Sequence, residues 1–130
     1  MSPHRILQVN AISTAACAVA MFAARGLLYP VFGLDTPILL DTIAVAFIVY
    51  AGALVLAARQ RPVGRQALLA FTVADAAWVA ASALVLIAYW GQLTPVGRFL
   101  IVAVAIVVDV FATLQFRAAG KARGGSLQVA

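Results

Sequence analysis

Two aspartates, Asp75 and Asp109, each lie inside a long apolar run and are the side chains best suited to chemistry in this chain. Asp75 belongs to the stretch FTVADAAWVAASALVLIAYW, which otherwise has the composition of a lipid-facing helix. A charged aspartate at the centre of a bilayer helix costs roughly 2.5–3.5 kcal/mol on insertion scales, and such residues face a bundle interior and mark ion or proton sites. The two carboxylates are therefore the first candidates for a functional site.

The elements that must position these aspartates are four apolar segments, each near the length of about 20 residues that a spanning helix needs. They run over residues 6–28, 38–58, 67–90 and 96–116. Turns rich in proline, glycine and arginine separate them, and Thr94 followed by Pro95 is a typical helix start. The sequence predicts an all-α, antiparallel bundle of four transmembrane helices over residues 1–117, followed by a mobile tail over residues 118–130.

The composition supports a membrane protein and excludes several kinds of site. Of 130 residues, 65% are hydrophobic and only 10% are charged, whereas a soluble domain carries roughly a quarter charged residues. A single cysteine, Cys17, rules out a disulfide within the chain, and a single histidine, His4, rules out a bis-histidine haem site. We expect no cofactor and no metal site.

Positive charge is distributed unevenly between the two ends of the predicted bundle, although the formal net charge is +5 overall. One end has only Arg25 and Arg98. The other end collects Arg5, Arg59, Arg61, Arg65, Arg117, Lys121 and Arg123. The positive-inside rule predicts a multi-pass protein of the inner (cell) membrane with both termini in the cytoplasm. The basic segments are expected to contact anionic lipid rather than nucleic acid, because no aromatic residues are interleaved with them.

Polar residues on all four predicted helices reach a similar depth. At 1.5 Å per residue, Asp75 and Asp109 each lie roughly 12 Å above the cytoplasmic end of their helix. The predicted intramembrane polar layer comprises Asn10, Ser13, Thr14, Tyr50, Asp75 and Asp109. Desolvation and a neighbouring carboxylate both favour the neutral acid, so we expect at least one of the pair to be protonated near pH 7. The layer has two interpretations: hydrogen bonds that hold the helices in register, or a proton or cation site.

A second polar cluster is predicted near the outer face and comprises Arg25, Asp35, Asp41 and Arg98. Arg25 lies about one turn inside the end of the first predicted helix, and Asp41 lies about one turn into the second. An antiparallel hairpin brings these two residues together, so an interface ion pair is expected. A ligand clamp on the outer surface is the alternative.

A weak internal similarity between the two halves of the chain suggests that the bundle is a parallel repeat of two hairpins. Thr36-Pro37 corresponds to Thr94-Pro95, and Arg59 corresponds to Arg117. In the second half, Trp78 lies one turn from Asp75 on the same helix face. Its ring could cover a bound cation, or it could serve only as packing bulk.

The segments DAAWVAASALVLI and LTPVGRFLIVAVAIVVDVFATLQ resemble a broad group of uncharacterised small bacterial four-helix integral membrane proteins. The resemblance covers the second half of the chain and implies a membrane bundle but no activity. In size and helix count the chain also resembles the small multidrug-resistance transporters, which work around a glutamate in the first helix. This sequence contains no glutamate, and its first predicted helix contains no acidic residue.

The sequence carries no nucleophile–base pair, phosphate-binding loop or metal motif, so it is not expected to be an enzyme. The leading prediction is a small non-catalytic membrane protein, either an accessory subunit of a larger membrane complex or a self-assembling homo-oligomer. One alternative is a proton-coupled or cation-binding transporter that uses Asp75 and Asp109. The other is a binder of lipid or quinone between the helices.

Overall fold

The computed structural model describes the backbone of residues 2–129 and the side chains of residues 2–121, and the chain is helical with no strand over that range. The five helices are α1 Pro3–Ala23, α2 Arg25–Val31, α3 Ile38–Ala58, α4 Arg65–Ala88 and α5 Pro95–Val129. Four of them, all except α2, contain a stretch long and apolar enough to cross a membrane. The predicted all-α architecture with four membrane-spanning helices is therefore confirmed.

Two of the helices begin at hydroxyl caps followed by proline. The Ser2 hydroxyl accepts a hydrogen bond from the Arg5 amide at 3.2 Å, and Pro3 is the first residue of α1. The Thr94 hydroxyl accepts from the Gly97 amide at 3.1 Å, and Pro95 begins α5. Proline fits the first helical position because its fixed φ suits the helix and its missing N–H would have had no partner there.

Some helix bounds differ from those expected. The second segment, 38–58, has the expected bounds, but the first is interrupted at Ala24, so that α1 is followed by the short α2. The fourth spanning helix also differs from its expected end near 116, and α5 continues to Val129. Gly120 does not end the helix, because glycine only weakens helix propensity by about 1 kcal/mol and keeps its N–H. A proline would have broken the helix, and none follows Pro95.

The spanning helices pack as two hairpins, with α1 along α3 and α4 along α5. The buried residues of the first hairpin include small side chains, Ala11 and Ala18 on α1 and Ala44 and Ala51 on α3. Small side chains allow helix backbones to approach closely in lipid, where packing rather than water exclusion drives association. The two hairpins touch each other less extensively than the helices within each hairpin do.

The main apolar core lies at one end of the bundle, which we call the basal end, where α1 and α4 begin and α3 ends. It consists of Ile6, Leu7, Ala11, Leu54, Ala57, Ala58, Val63, Leu68, Ala118 and Ala119. At the opposite, distal end, the hairpins meet through their loops. There the Thr94 hydroxyl donates to the Val31 carbonyl, and Gly33 packs against the Gln92 carbonyl. Contact at both ends leaves the middle of the interface free for a polar cluster and a cavity.

Candidate functional site

Asp75 is the centre of the polar cluster and accepts one hydrogen bond from each of the other three spanning helices. Its side chain is only 5% exposed. Tyr50 on α3 donates to Oδ1 at 2.7 Å. Gln115 on α5 donates to Oδ2 through Nε2 at 2.9 Å, and Asn10 on α1 donates to the same oxygen through Nδ2 at 3.3 Å. A single carboxylate therefore connects all four membrane-spanning helices.

The donors around Asp75 are also bonded to one another. Asn10 Nδ2 donates to Gln115 Oε1 at 2.8 Å, and the Thr14 hydroxyl donates to Asn10 Oδ1 at 3.2 Å. Gln115 is fully buried and Asn10 is 4% exposed. Within the described side chains, Asp75 has no basic partner, and the surrounding groups are neutral donors. The carboxyl oxygens of Asp75 therefore act as acceptors for neutral donors only. We call these five residues, Asn10, Thr14, Tyr50, Asp75 and Gln115, the Asp75 network.

Helix geometry explains how the network forms. Asn10 and Thr14 are four residues apart and so lie on one face of α1. Tyr50 is placed by the antiparallel packing of α1 against α3, and its ring packs edge-on against Phe71 with centroids 5.6 Å apart. The antiparallel packing of α4 and α5 then brings Gln115 opposite Asp75. Each polar side chain of the network is therefore positioned by the packing of the helix that carries it.

Asp109 does not belong to this network, and the expected common depth of Asp75 and Asp109 is corrected by the structure. Gln115, six residues further along α5, is the residue opposite Asp75. Six helical residues correspond to about 9 Å along the axis and about 120° around it, so Asp109 lies at another level and on another face. Its side chain is exposed, and it makes no hydrogen bond with any described side chain. The Thr113 hydroxyl bonds only to the Asp109 backbone carbonyl, at 3.0 Å.

A cavity of about 400 Å³ lies between the two hairpins, on the distal side of the Asp75 network. Asn10, Tyr50 and Asp75 form its polar wall, and Ser13 lines it without joining the network. Trp78 and Phe47 form an edge-to-face aromatic pair on another wall, with centroids 5.0 Å apart. The cavity receives residues from all four spanning helices, and most of its lining is apolar.

The four charged residues predicted to cluster near the outer face do not form one group at the distal end. Arg25 and Asp41 form an ion pair with Nη2 to Oδ2 at 3.2 Å. Arg98 instead lies over the ring of Trp90, 4.1 Å from the centroid to the guanidinium carbon, and its Nε donates to the Trp90 carbonyl at 3.0 Å. Asp35 is exposed and has no partner among the described side chains. Arg25 and Asp41 therefore pair, whereas Asp35 and Arg98 do not join them.

Metal binding has no candidate centre in the side chains of residues 2–121. No group of three or more histidine, cysteine or acidic side chains comes together there. His4 contacts the Ala58 carbonyl through Nδ1 at 2.8 Å, which ties the start of α1 to the end of α3. Cys17 is a free thiol on the cavity wall.

Comparison with known proteins finds no matching family model, no matching curated protein and no matching solved structure. The four long apolar helices define the class to which this chain belongs, that of multi-pass integral membrane proteins.

Proposed function

We propose that this protein is a non-catalytic membrane subunit that assembles with another membrane-spanning chain through the exposed face of α5 that carries Asp109. The observation that carries the proposal is the contrast between the two aspartates. Asp75 is buried with three donors, whereas Asp109 is exposed and has no partner among the described side chains. A carboxylate in lipid that no described element of its own chain covers favours a protein partner.

Asp109 lies at the depth in the membrane where an uncovered carboxylate costs the most free energy. Asp109 lies close to the midpoint between Pro95 and Lys121, the ends of the candidate span. At the rise of an α-helix, it is about 21 Å along the axis from Pro95 and about 18 Å from Lys121. Since the hydrocarbon core of a bilayer is about 30 Å thick, Asp109 falls near its middle. A partner that supplies a hydrogen-bond donor or a positive charge at this depth would remove most of the free-energy cost of placing the carboxylate in the hydrocarbon core.

The residues around Asp109 form a continuous stripe suited to helix packing. Exposed side chains recur on α5 at alternating spacings of three and four residues, which is the repeat that two helices use to pack side by side. The stripe consists of Phe99, Val102, Ile106, Asp109, Thr113 and Phe116, all exposed. We call it the Asp109 face. One polar residue in such a stripe fixes register and partner choice at a cost in stability.

The partner is either a second copy of this chain or a foreign subunit with a basic or hydrogen-bonding residue at the same depth. No Lys or Arg of this chain lies near Asp109 within the α5 span, since Arg98 and Arg117 are each separated from it by more than about two helical turns. Two copies would therefore pair the two acids through a shared proton, whereas a foreign subunit could supply the opposite charge. The Asp109→Asn variant separates these cases, because an amide can still hydrogen-bond to an amide but cannot balance a buried cation.

The experiment is native mass spectrometry of the protein extracted from its own membrane in mild detergent. The wild type is expected as a particle heavier than one chain, and Asp109→Ala is expected to release the monomer. Val73→Ala, which alters an equally exposed site on α4, is the control and should leave the particle intact. If the Asp109→Asn variant still forms the heavier particle, the partner is a second copy of this chain. If the variant is found only as a monomer, the partner is a basic subunit. A wild-type monomer with no foreign chain would refute the proposal.

The positive charge at the basal end supports a further part of the proposal, which is the orientation of the bundle in the inner membrane. Five arginines lie at or near the basal end of the bundle: Arg5, Arg59, Arg61, Arg65 and Arg117. We therefore place the basal end and both termini in the cytoplasm, next to anionic lipid. A transport function that combines Asp75 with Asp109 has no comparable support, because only Asp75 lines the cavity.

A further inference from the structure

The cavity between the hairpins has the features of a small-molecule site. Its volume of about 400 Å³ lies within the range of roughly 300–1,000 Å³ typical of ligand pockets, which are mostly apolar with a few placed polar groups. We propose that this cavity binds a neutral, largely apolar molecule that presents a carbonyl oxygen as a hydrogen-bond acceptor. This inference goes beyond the assembly proposed above and does not depend on it, since the Asp109 face lies outside the cavity.

The charges on the cavity wall favour a neutral ligand. Among the described residues, Asp75 is the only carboxylate that lines the cavity, and no lysine, arginine or histidine lines it. An anion would therefore find no positively charged side chain to balance it. A cation would find both Asp75 oxygens already engaged by the donors Tyr50, Gln115 and Asn10. It would have to displace these hydrogen bonds before it could bind, at the expense of the network that joins the helices.

The unpaired polar groups on the wall favour a ligand with an acceptor. The indole Nε1 of Trp78 is buried and has no hydrogen-bond partner in the described part of the chain. Indole N–H can only donate, and a buried donor without an acceptor is costly. Ser13 and Cys17, four residues apart on α1, also line the cavity and make no side-chain hydrogen bond to any described residue. The Ser13 hydroxyl and the Cys17 thiol each carry a hydrogen that a ligand oxygen in the cavity could accept. The Trp78 N–H is buried beside them, and that side chain would have to turn for the same oxygen to reach it.

The remaining walls suit a ring or an acyl chain. They consist mainly of Phe47, Ala103, Val104, Val107, Val108 and Phe111. A quinone ring and the acyl ester of a glycerolipid share the required chemistry, because both join apolar carbon to carbonyl oxygen. Both reach a protein through the bilayer itself, so the same cavity can be tested with soluble analogues of each.

The test uses the intrinsic fluorescence of Trp78 in the purified full-length protein in detergent. Trp90→Phe leaves Trp78 as the only indole of the chain. Titration with menadione, a small quinone, is expected to quench Trp78 saturably. Trp78→Phe, which retains only the exposed Trp90 at the distal turn, is the matched control and should show weak quenching without saturation.

Competition then identifies the chemistry that is recognised. 2-Methylnaphthalene has the menadione skeleton without the carbonyl oxygens, and the loss of one or more hydrogen bonds should weaken its binding by about 2- to 10-fold. Displacement of menadione by dioctanoylglycerol would point to a lipid ester as the natural source, and its failure to compete would point to a quinone. Tighter binding of the cation tetraphenylphosphonium than of menadione would overturn the proposal of a neutral ligand.

Filling the cavity provides an independent check. In the Trp90→Phe background, Ala103→Phe places a ring in the space, and it should weaken menadione binding at least about tenfold, the equivalent of 1.4 kcal/mol. Val110→Phe, an exposed position on the same helix that lies outside both the cavity lining and the Asp109 face, should leave binding unchanged. Equal affinity for menadione and 2-methylnaphthalene, or equal non-saturable quenching of Trp78 and Trp90, would refute the site. These comparisons of the two ligands and of the two tryptophans test the site even if Ala103→Phe fails to fold.

Discussion

The Tyr50 hydroxyl donates a hydrogen bond of 2.7 Å to Oδ1 of Asp75 and so joins α3 of one hairpin to α4 of the other. Asn10 and Gln115 complete the link from α1 and α5. Just distal to this point the hairpins are separated by the cavity. The Asp75 network is thus the polar connection in the middle of the interface, where the hairpins also meet through the aromatic pairs Phe47–Trp78 and Tyr50–Phe71. At the two ends they meet through the basal core and the distal loops.

Tyr50→Phe tests this connection with the least change in shape. The ring can keep its packing against Phe71, but the donor to Asp75 is lost. We expect the free energy of unfolding to fall by about 1–2 kcal/mol, the upper part of the range measured for hydrogen bonds between membrane helices. Tyr89→Phe, at an exposed tyrosine without a described side-chain hydrogen bond, should change it by less than about 0.5 kcal/mol. An unchanged unfolding free energy in mixed micelles for Tyr50→Phe would show that the bond contributes nothing.

Substitutions at Asp75 should differ by how many donors they leave without an acceptor. Asp75→Asn keeps the shape and an acceptor for Tyr50, so the protein should still fold with its native helix content by circular dichroism. Asp75→Ala removes the side-chain acceptor of the Tyr50 hydroxyl and of Gln115 Nε2, whereas Asn10 Nδ2 keeps its hydrogen bond to Gln115 Oε1. Each unpaired buried group costs about 1–3 kcal/mol. We therefore expect Asp75→Ala to be the less stable variant by at least about 2 kcal/mol. Similar stability of the two variants would contradict this account of the network.

The ion pair between Arg25 and Asp41 should make only a small contribution to stability. The two side chains are 50% and 28% exposed, and exposed ion pairs contribute about 0.2–1 kcal/mol. Arg25→Asp and Asp41→Arg should each lower the unfolding free energy by up to about 1 kcal/mol, and the double exchange should recover most of the loss. A double variant whose loss equals the sum of the two single losses would show that the residues do not interact.

Substitution of Gly33 should destabilise the protein, because its backbone has a positive φ and the Gln92 carbonyl lies close to it. Its φ of +71° lies in the left-handed region that favours glycine, and an added Cβ would collide with the Gln92 carbonyl. Gly33→Ala should destabilise the protein by more than about 1 kcal/mol by separating the hairpins at the distal end. Gly52→Ala is the control, because its Cβ meets open space in the middle of α3 and alanine favours a helix by about 1 kcal/mol. A Gly33→Ala protein as stable as the wild type would exclude a close loop contact.

The sequence predicted the spanning helices well because long apolar segments separated by polar turns are easy to recognise. Length and apolar composition identify four spans, and the bounds of the second span, 38–58, coincide with α3. The sequence also predicted the pairing of Arg25 with Asp41, since an antiparallel hairpin places both near its distal end. The interruption at Ala24 was not predicted, because no proline or glycine marks that position.

The candidate site was predicted only in part, because depth along a helix does not determine which way a side chain points. Asn10, Thr14 and Tyr50 do surround Asp75. Asp109 was grouped with them on an estimated depth measured from Arg117, although the helix continues beyond that residue. Gln115 was overlooked because an amide near the end of an apolar run resembles an interfacial residue. It is, however, the only amide in residues 96–116, which is the signal that could have identified it.

The most direct test of the account is to measure fold stability and particle mass in parallel for Asp75→Ala and Asp109→Ala. Asp75→Ala should lower the free energy of unfolding, because Tyr50 and Gln115 lose the acceptor that Asp75 provides and Asn10 loses one of its two. Asp109→Ala should leave the monomer's unfolding free energy unchanged or higher but reduce the particle in native mass spectrometry to a single chain. Loss of monomer stability in Asp109→Ala with an unchanged particle mass would contradict the separation of the two aspartates into a structural residue and an assembly residue.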